Sequence, residues 1–175
     1  MIFAEDEAII SFNPNSRKLW APKVMGSKSY GLQKLWAPKG KGLKPILFVN
    51  GSHQNVFFFG AVSDKKRHCC TAKWINEDSF IKFLKYLLKM YGKIVVIADR
   101  ATHHFKSLKV KNFIKKLKDK IILWPLPKRL PELNPMEPGW KSARKNVTYK
   151  LFDSKKTLGW AVKSHIRWEF KDQFD

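Results

Sequence analysis

Three acidic residues in this 175-residue chain stand where carboxylates can do chemistry. Asp6 lies inside an apolar N-terminal run, Met1–Phe12 (MIFAEDEAIISF). Asp99 ends the β-branched run Ile94-Val95-Val96-Ile97, and Glu137 follows Asn134-Pro135 at what reads as the start of a helix. Carboxylate oxygens are the ligands that hard cations such as Mg²⁺ and Mn²⁺ take. Three of them brought together could hold two such ions, which activate a water or a hydroxyl and stabilise the leaving oxygen of a phosphodiester. Acids at strand ends and helix starts also act as turn residues and caps. Spacing by itself leaves both readings open.

The charge balance points to a polyanionic partner. There are 35 Lys+Arg against 14 Asp+Glu, a net charge of +21. A compact domain with that charge repels itself, and nucleic acid relieves the repulsion. An acidic membrane surface is the competing partner, but no segment has the amphipathic pattern with flanking anchors that it requires. No apolar run approaches the length of a membrane span. The two cysteines, Cys69 and Cys70, are adjacent and lack metal-site spacing, which fits a reduced compartment. The first ten residues carry Glu5, Asp6 and Glu7 and no basic region, unlike a signal peptide.

The elements that must position the acids follow from periodicity. Met1–Phe12 alternates as a strand, with Ile2, Ala4 and Asp6 on one face and Phe3, Glu5 and Glu7 on the other. Pro45–Asn50 and Asn55–Val62 read as strands joined by the turn Gly51–Gln54, and Lys66–Trp74 as a third extended piece, together an antiparallel meander. Asn76 opens a helix with Phe80, Phe83, Leu84, Leu87 and Leu88 on one face, and Gly92 closes it. The strand ending at Asp99 is of the buried parallel type. Lys106–Lys120 reads as a basic amphipathic helix, Ile121–Leu126 as a further buried strand, and Ser154–Phe170 as a last helix. Asn134 is the expected N-cap of the Glu137 helix, with Pro135 at its first position. Antiparallel strands followed by βα units predict an α/β fold, a mixed sheet with helices on it, in one domain over residues 1–175.

One feature lies outside this pattern. KLWAPK occurs at Lys18–Lys23 and again at Lys34–Lys39. Two copies are too few for a solenoid, and a short duplicated segment within residues 18–39, partly looped out of the fold, is the expectation.

Four stretches together resemble the catalytic domain of DDE transposases of the mariner superfamily, in its prokaryotic insertion-sequence branch. They are Glu5-Asp6-Glu7 after an apolar strand, RKLWAPK and WAPKG at 17–23 and 36–40, DRATHH at Asp99–His104, and LPKRLPELNPMEPGW at Leu126–Trp140. The last is the most specific. The resemblance implies an RNase H-like fold with a five-stranded mixed sheet flanked by helices. It implies Asp6, Asp99 and Glu137 as catalytic metal ligands for Mg²⁺ or Mn²⁺, two ions in all. The activity it implies is hydrolysis at transposon ends followed by strand transfer into target DNA, in the cytoplasm at the nucleoid. Its expected partners are terminal-repeat and target DNA, a second copy in a synaptic complex, and a separate recognition chain. The last is expected because the family's N-terminal helix-turn-helix module has no counterpart in this sequence. Arg100 stands where the family has Asn, His103 is an extra histidine, and Lys128-Arg129 replaces Pro-Tyr. Arg100, His104, Lys106, Lys128, Arg129, Lys141 and Arg144 are the expected DNA contacts, with His104 alternatively a structural histidine or one that orients Asp99. Trp140 is expected in the core. An idle DNA-binding remnant is the second reading.

Overall fold

The computed structural model describes residues 1–12, 32–34, 46–48, 54–127, 133–148, 150 and 152–168. In chain order the strands and helices are β1 (Ile2–Ser11), β2 (Leu32–Lys34), β3 (Ile46–Phe48), β4 (Asn55–Val62), β5 (Arg67–Ala72), α1 (Glu77–Tyr91), β6 (Ile94–Ala98), α2 (Thr102–Phe105), α3 (Leu108–Lys116), β7 (Ile121–Pro125), α4 (Met136–Val147) and α5 (Lys155–Trp168). Five strands form one mixed sheet in the order β5-β4-β1-β6-β7. β1 lies at its centre, antiparallel to β4 and parallel to β6.

The period-two pattern of β1 sorts its side chains onto two cores. Ala4, Ala8, Ile10 and Phe12 pack with Phe58, Val62, Met136, Trp140, Leu158 and Ile166 beneath α4 and α5. Phe3 packs with Phe59, Phe80, Phe83, Leu84, Leu87, Val96 and Val110 beneath α1 and α3. Trp140 is core, 1% exposed, as expected. α1 starts where Asn76 Oδ1 accepts from the Ser79 N–H at 2.9 Å, and ends where Gly92, at φ 71°, donates to the Leu88 carbonyl. That positive φ is the reason for glycine there.

The meander is corrected in one respect. β3 does not neighbour β4 but pairs with β2, in a separate two-stranded sheet with Leu32 opposite Phe48. β4 has two edges, and β1 and β5 take both. The basic helix is also shorter than its pattern. Ser107 accepts from the Val110 N–H and starts α3 afresh, leaving the four-residue α2 ahead of it. The first KLWAPK copy and all but Lys34 of the second lie outside the described residues.

Candidate active site

Glu137 and Asp99 each lie near enough to Asp6 to raise its carboxyl, although among the described residues the His, Asp and Glu side chains whose ligand atoms gather within 4.8 Å are Glu7, His103 and His104 and not these three. Ala4 on β1 is level with Ile97 on β6, the last pair of that register, and Asp6 and Asp99 each lie two residues beyond it. Asp6 shares its face of β1 with Ala4 and Ala8, which pack under α4. Glu137 lies in the first turn of α4. The carboxyl of Asp6 is pushed up to about 7, first by burial and then by the neighbouring carboxylates of Glu137, Glu7 and Asp99. Mutual repulsion of that kind requires the acids to be close.

Local contacts fix each acid. Asn134, 2% exposed, accepts from the Met136 N–H at 3.1 Å through Oδ1 and donates through Nδ2 to the Glu5 carbonyl at 3.0 Å. One side chain therefore ties the start of α4 to the strand that carries Asp6. The expected N-cap is corrected by one residue: α4 begins at Met136, Pro135 holds the cap position without a side-chain bond, and Asn134 stands just ahead of it. Gly60 faces Asp6 across the β1–β4 pair, and its bare backbone admits Met136 and Trp140 of α4 against the sheet. Asp99 Oδ1 accepts from the Ala101 N–H and from His104 Nδ1, each at 2.9 Å. The His104 hydrogen bond is the largest of the influences that hold Asp99 below its usual range.

His104 is buried, 1% exposed, and both its ring nitrogens are engaged: Nδ1 by Asp99, Nε2 by Glu7 Oε1 at 2.8 Å. A residue closed in that way does not reach a phosphate, so the expected DNA contact at His104 is withdrawn in favour of the alternative, a histidine that orients Asp99. Burial works against its charge, but the bonds to Asp99 and Glu7 outweigh it and push the imidazole up to about 10. Glu7 also meets His103 Nε2 at 2.7 Å. Glu5, Glu7 and His103 were not among the expected site residues. The alternation of β1 already put Glu5 and Glu7 together, on the face opposite Asp6, but nothing in the sequence connected them to histidines nearly a hundred residues away.

The basic residues fall at the surface. Arg100 is exposed and donates from Nε to the Leu126 carbonyl at 2.9 Å. Lys106 and Lys141 are exposed, and Arg144 is half-buried. Lys128 and Arg129 lie outside the described residues. Among the described residues no helix is long and apolar enough to cross a membrane.

Residues 24–159 match the sequence profile of a family described as DDE superfamily endonuclease. Asp99 and Glu137 fall inside that span and Asp6 ahead of it. The fold is similar to that of the Mos1 transposase paired-end complex with the left transposon end, with a TM-score of 0.65 and 16% identity over 99% of this chain and 49% of that one. A pre-cleavage Mos1 transpososome aligns with a TM-score of 0.60 and 14% identity over 94% of this chain and 48% of that one. The intasome of simian T-cell lymphotropic virus, in complex with PP2A regulatory subunit B56 gamma, aligns with a TM-score of 0.53 and 9% identity, over 92% and 46% of the two chains. The chain thus spans about half the length of the solved chains it matches. No curated protein matches it in sequence. The five-stranded mixed sheet with flanking helices is the RNase H-like fold.

Proposed function

Because the chain belongs to the DDE superfamily endonucleases, whose members use divalent metal ions, we propose that it is a transposase catalytic domain whose metal ligands are Asp6, Asp99 and Glu137. The observation that carries this is the family match over residues 24–159, and the upward push that Glu137 and Asp99 exert on Asp6 supports the choice of ligands. The donor set fits the cofactor. Three carboxylates are oxygen ligands, which suit Mg²⁺ or Mn²⁺, and the repulsion that Glu137 and Asp99 exert on Asp6 is what such cations would relieve. When bound, the ions would supply Lewis-acid activation of the attacking oxygen and stabilisation of the leaving one.

The chain's own residues do the rest. Ala101 and His104 fix Asp99 Oδ1 and keep that carboxylate ionised. Asn134 anchors the Glu137 helix to β1. Arg100, Lys106, Lys141 and Arg144 supply positive charge for the DNA backbone, with Lys128 and Arg129 assigned the same role from the sequence. The DNA is proposed to be transposon ends and target, engaged by a synaptic pair of chains, with recognition of the ends supplied by a further module or chain. The proposed domain covers residues 1–175.

Nicking of supercoiled plasmid is the direct test. Nicks are expected with Mg²⁺ or Mn²⁺ and none with EDTA. Salt-sensitive DNA binding without nicking would favour the idle remnant. Two further outcomes follow. Metal binding must displace the proton that Asp6 holds below about 7, so Mn²⁺ affinity measured by titration falls about tenfold per pH unit below that point. With a charge of +21, non-specific DNA affinity falls by about 10³ or more between 50 and 200 mM salt, the loss expected of six or more neutralised phosphates. A flat salt profile would contradict the assigned DNA surface.

A further inference from the structure

The face of β1 opposite Asp6 carries a second constellation. Glu7 Oε1 lies 2.7 Å from His103 Nε2 and 2.8 Å from His104 Nε2. These three donor atoms all fall within 4.8 Å of one another. Glu5 stands two residues along the same face, 0% exposed, with Oε2 at 3.7 Å from His104 Nε2. Neither carboxylate oxygen of Glu5 has a hydrogen-bond donor among the described residues. The ring nitrogen nearest to it is already engaged by Glu7. A buried carboxyl group without a partner is costly, and an ion is one of the standard reasons for finding one.

We propose that Glu7, His103 and His104, completed by Glu5, form a second cation site that takes a borderline transition metal of the Zn²⁺ class.

Four features support it. Two imidazoles with two carboxylates are a mixed nitrogen–oxygen set that suits zinc, whereas the proposed Asp6 site offers oxygens alone. Two carboxylates balance a dication, so Glu5 gains the partner that hydrogen bonding withholds from it. His104 already has the outer contact that ligating histidines keep: Nδ1 faces Asp99 Oδ1 at 2.9 Å and the Asp99 carbonyl at 3.2 Å, which leaves Nε2 for the metal. Phe80 packs its ring 4.2 Å from that of His104 and 6.4 Å from that of His103, an apolar cover over the site. A zinc ion held about 2.0–2.1 Å from each donor sets donors about 3.3 Å apart, so Glu7 and the histidines separate by about half an ångström on binding. His103, 22% exposed at its side chain, is the way in. Binding exchanges the Nε2 proton of His104 for the ion.

The test uses the full chain carrying Asp6→Asn, which removes the other metal site from the measurement, in excess Mg²⁺. One Zn²⁺ per chain is expected by equilibrium dialysis. Co²⁺ in its place is expected to give the intense visible bands of a four-coordinate nitrogen–oxygen site, which zinc then bleaches. Adding His103→Ala, at a half-exposed position, lowers Zn²⁺ affinity about a hundredfold or more and abolishes the Co²⁺ bands, with far-UV circular dichroism confirming the fold. His103→Gln serves as the second variant should the alanine chain not fold. Absence of stoichiometric zinc, a weak six-coordinate Co²⁺ spectrum, or bands that survive loss of His103 would overturn the proposal. The outcome is independent of plasmid nicking, so either reading can fail alone.

Discussion

Replacing Asp6 with Asn is expected to stop metal-dependent nicking and, without metal, to make the chain more stable. The two effects have one origin. Asp6 sits in a partly buried position among Glu137, Glu7 and Asp99, which lifts its carboxyl from 3.8 to about 7. A folded-state value above the unfolded one means that the ionised form is unwelcome in the fold. The group costs nothing below its unfolded value of 3.8. The penalty grows as pH rises from there to about 7 and is complete above it, at up to about 4 kcal/mol for three units. Asn keeps the shape and never ionises, so thermal unfolding at pH 8 in EDTA should move up by several degrees. The same substitution removes a ligand from the proposed metal site. A catalytic metal is worth several kcal/mol of transition-state stabilisation, so plasmid nicking should fall on the order of a thousandfold at 1.36 kcal/mol per decade. DNA affinity should hold or rise slightly, since a negative charge has been lost. Nicking at the wild-type rate would remove Asp6 from the ligand set. A lower melting temperature would mean that the carboxylate has a partner in the metal-free fold.

Gly60→Ala is expected to damage the site without touching an acid. A Cβ at Gly60 would collide with the Met136 methyl and the Trp140 ring, both fully buried. Overpacking of this kind costs about 1–3 kcal/mol, a drop of roughly 3–10 °C in melting temperature for a chain of this size. Relief must come from α4 riding away from the sheet, and Glu137 is the neighbour of Met136. A shift of about 1 Å at a reacting centre can cost on the order of a hundredfold, so nicking should fall by roughly ten- to a hundredfold at temperatures where the chain is folded. Gly159→Ala is the contrast. Its Cβ would meet only Thr71 Cγ2 at 3.0 Å, beneath α5. The gain of about 1 kcal/mol from removing a helical glycine offsets that contact, and Glu137 is undisturbed. Equal losses of nicking in the two variants would show that α4 yields without moving Glu137.

The parts of the fold built from local rules were legible in the sequence. The alternation of β1, the Asn76 and Gly92 ends of α1, and the buried run before Asp99 each depend on neighbours in the chain, and each stands where the periodicity put it. The acids could be singled out because the stretch around Glu137 is specific, and Asp6 and Asp99 each follow the last β1–β6 pair, Ala4 with Ile97, by two residues. What was not legible depends on which edges are already occupied and on which distant side chains meet. Strand propensity at Pro45–Asn50 carries no record that β4 has spent both edges on β1 and β5. A lysine-rich period continues through Ser107, whereas its hydroxyl breaks the segment into α2 and α3. The sequence leaves His104 open to a DNA contact, a structural role or one against Asp99, because it holds no sign of the Phe80 ring and Glu7 carboxylate that enclose it.

The central position of β1 also has a consequence in time. It precedes the other strands of its sheet in the chain, yet it ends at Ser11 while its parallel partner β6 begins only at Ile94. At about 5–20 residues per second, a ribosome takes roughly 4–17 s to cover that interval. Throughout it the strand that will divide the two cores keeps one edge unpaired. Glu137 lies later still in the chain, so the proposed three-carboxylate site cannot form until α4 has also been made. The order of the sheet thus acts as a delay, separating synthesis of β1 from the moment at which the proposed metal site could first be complete.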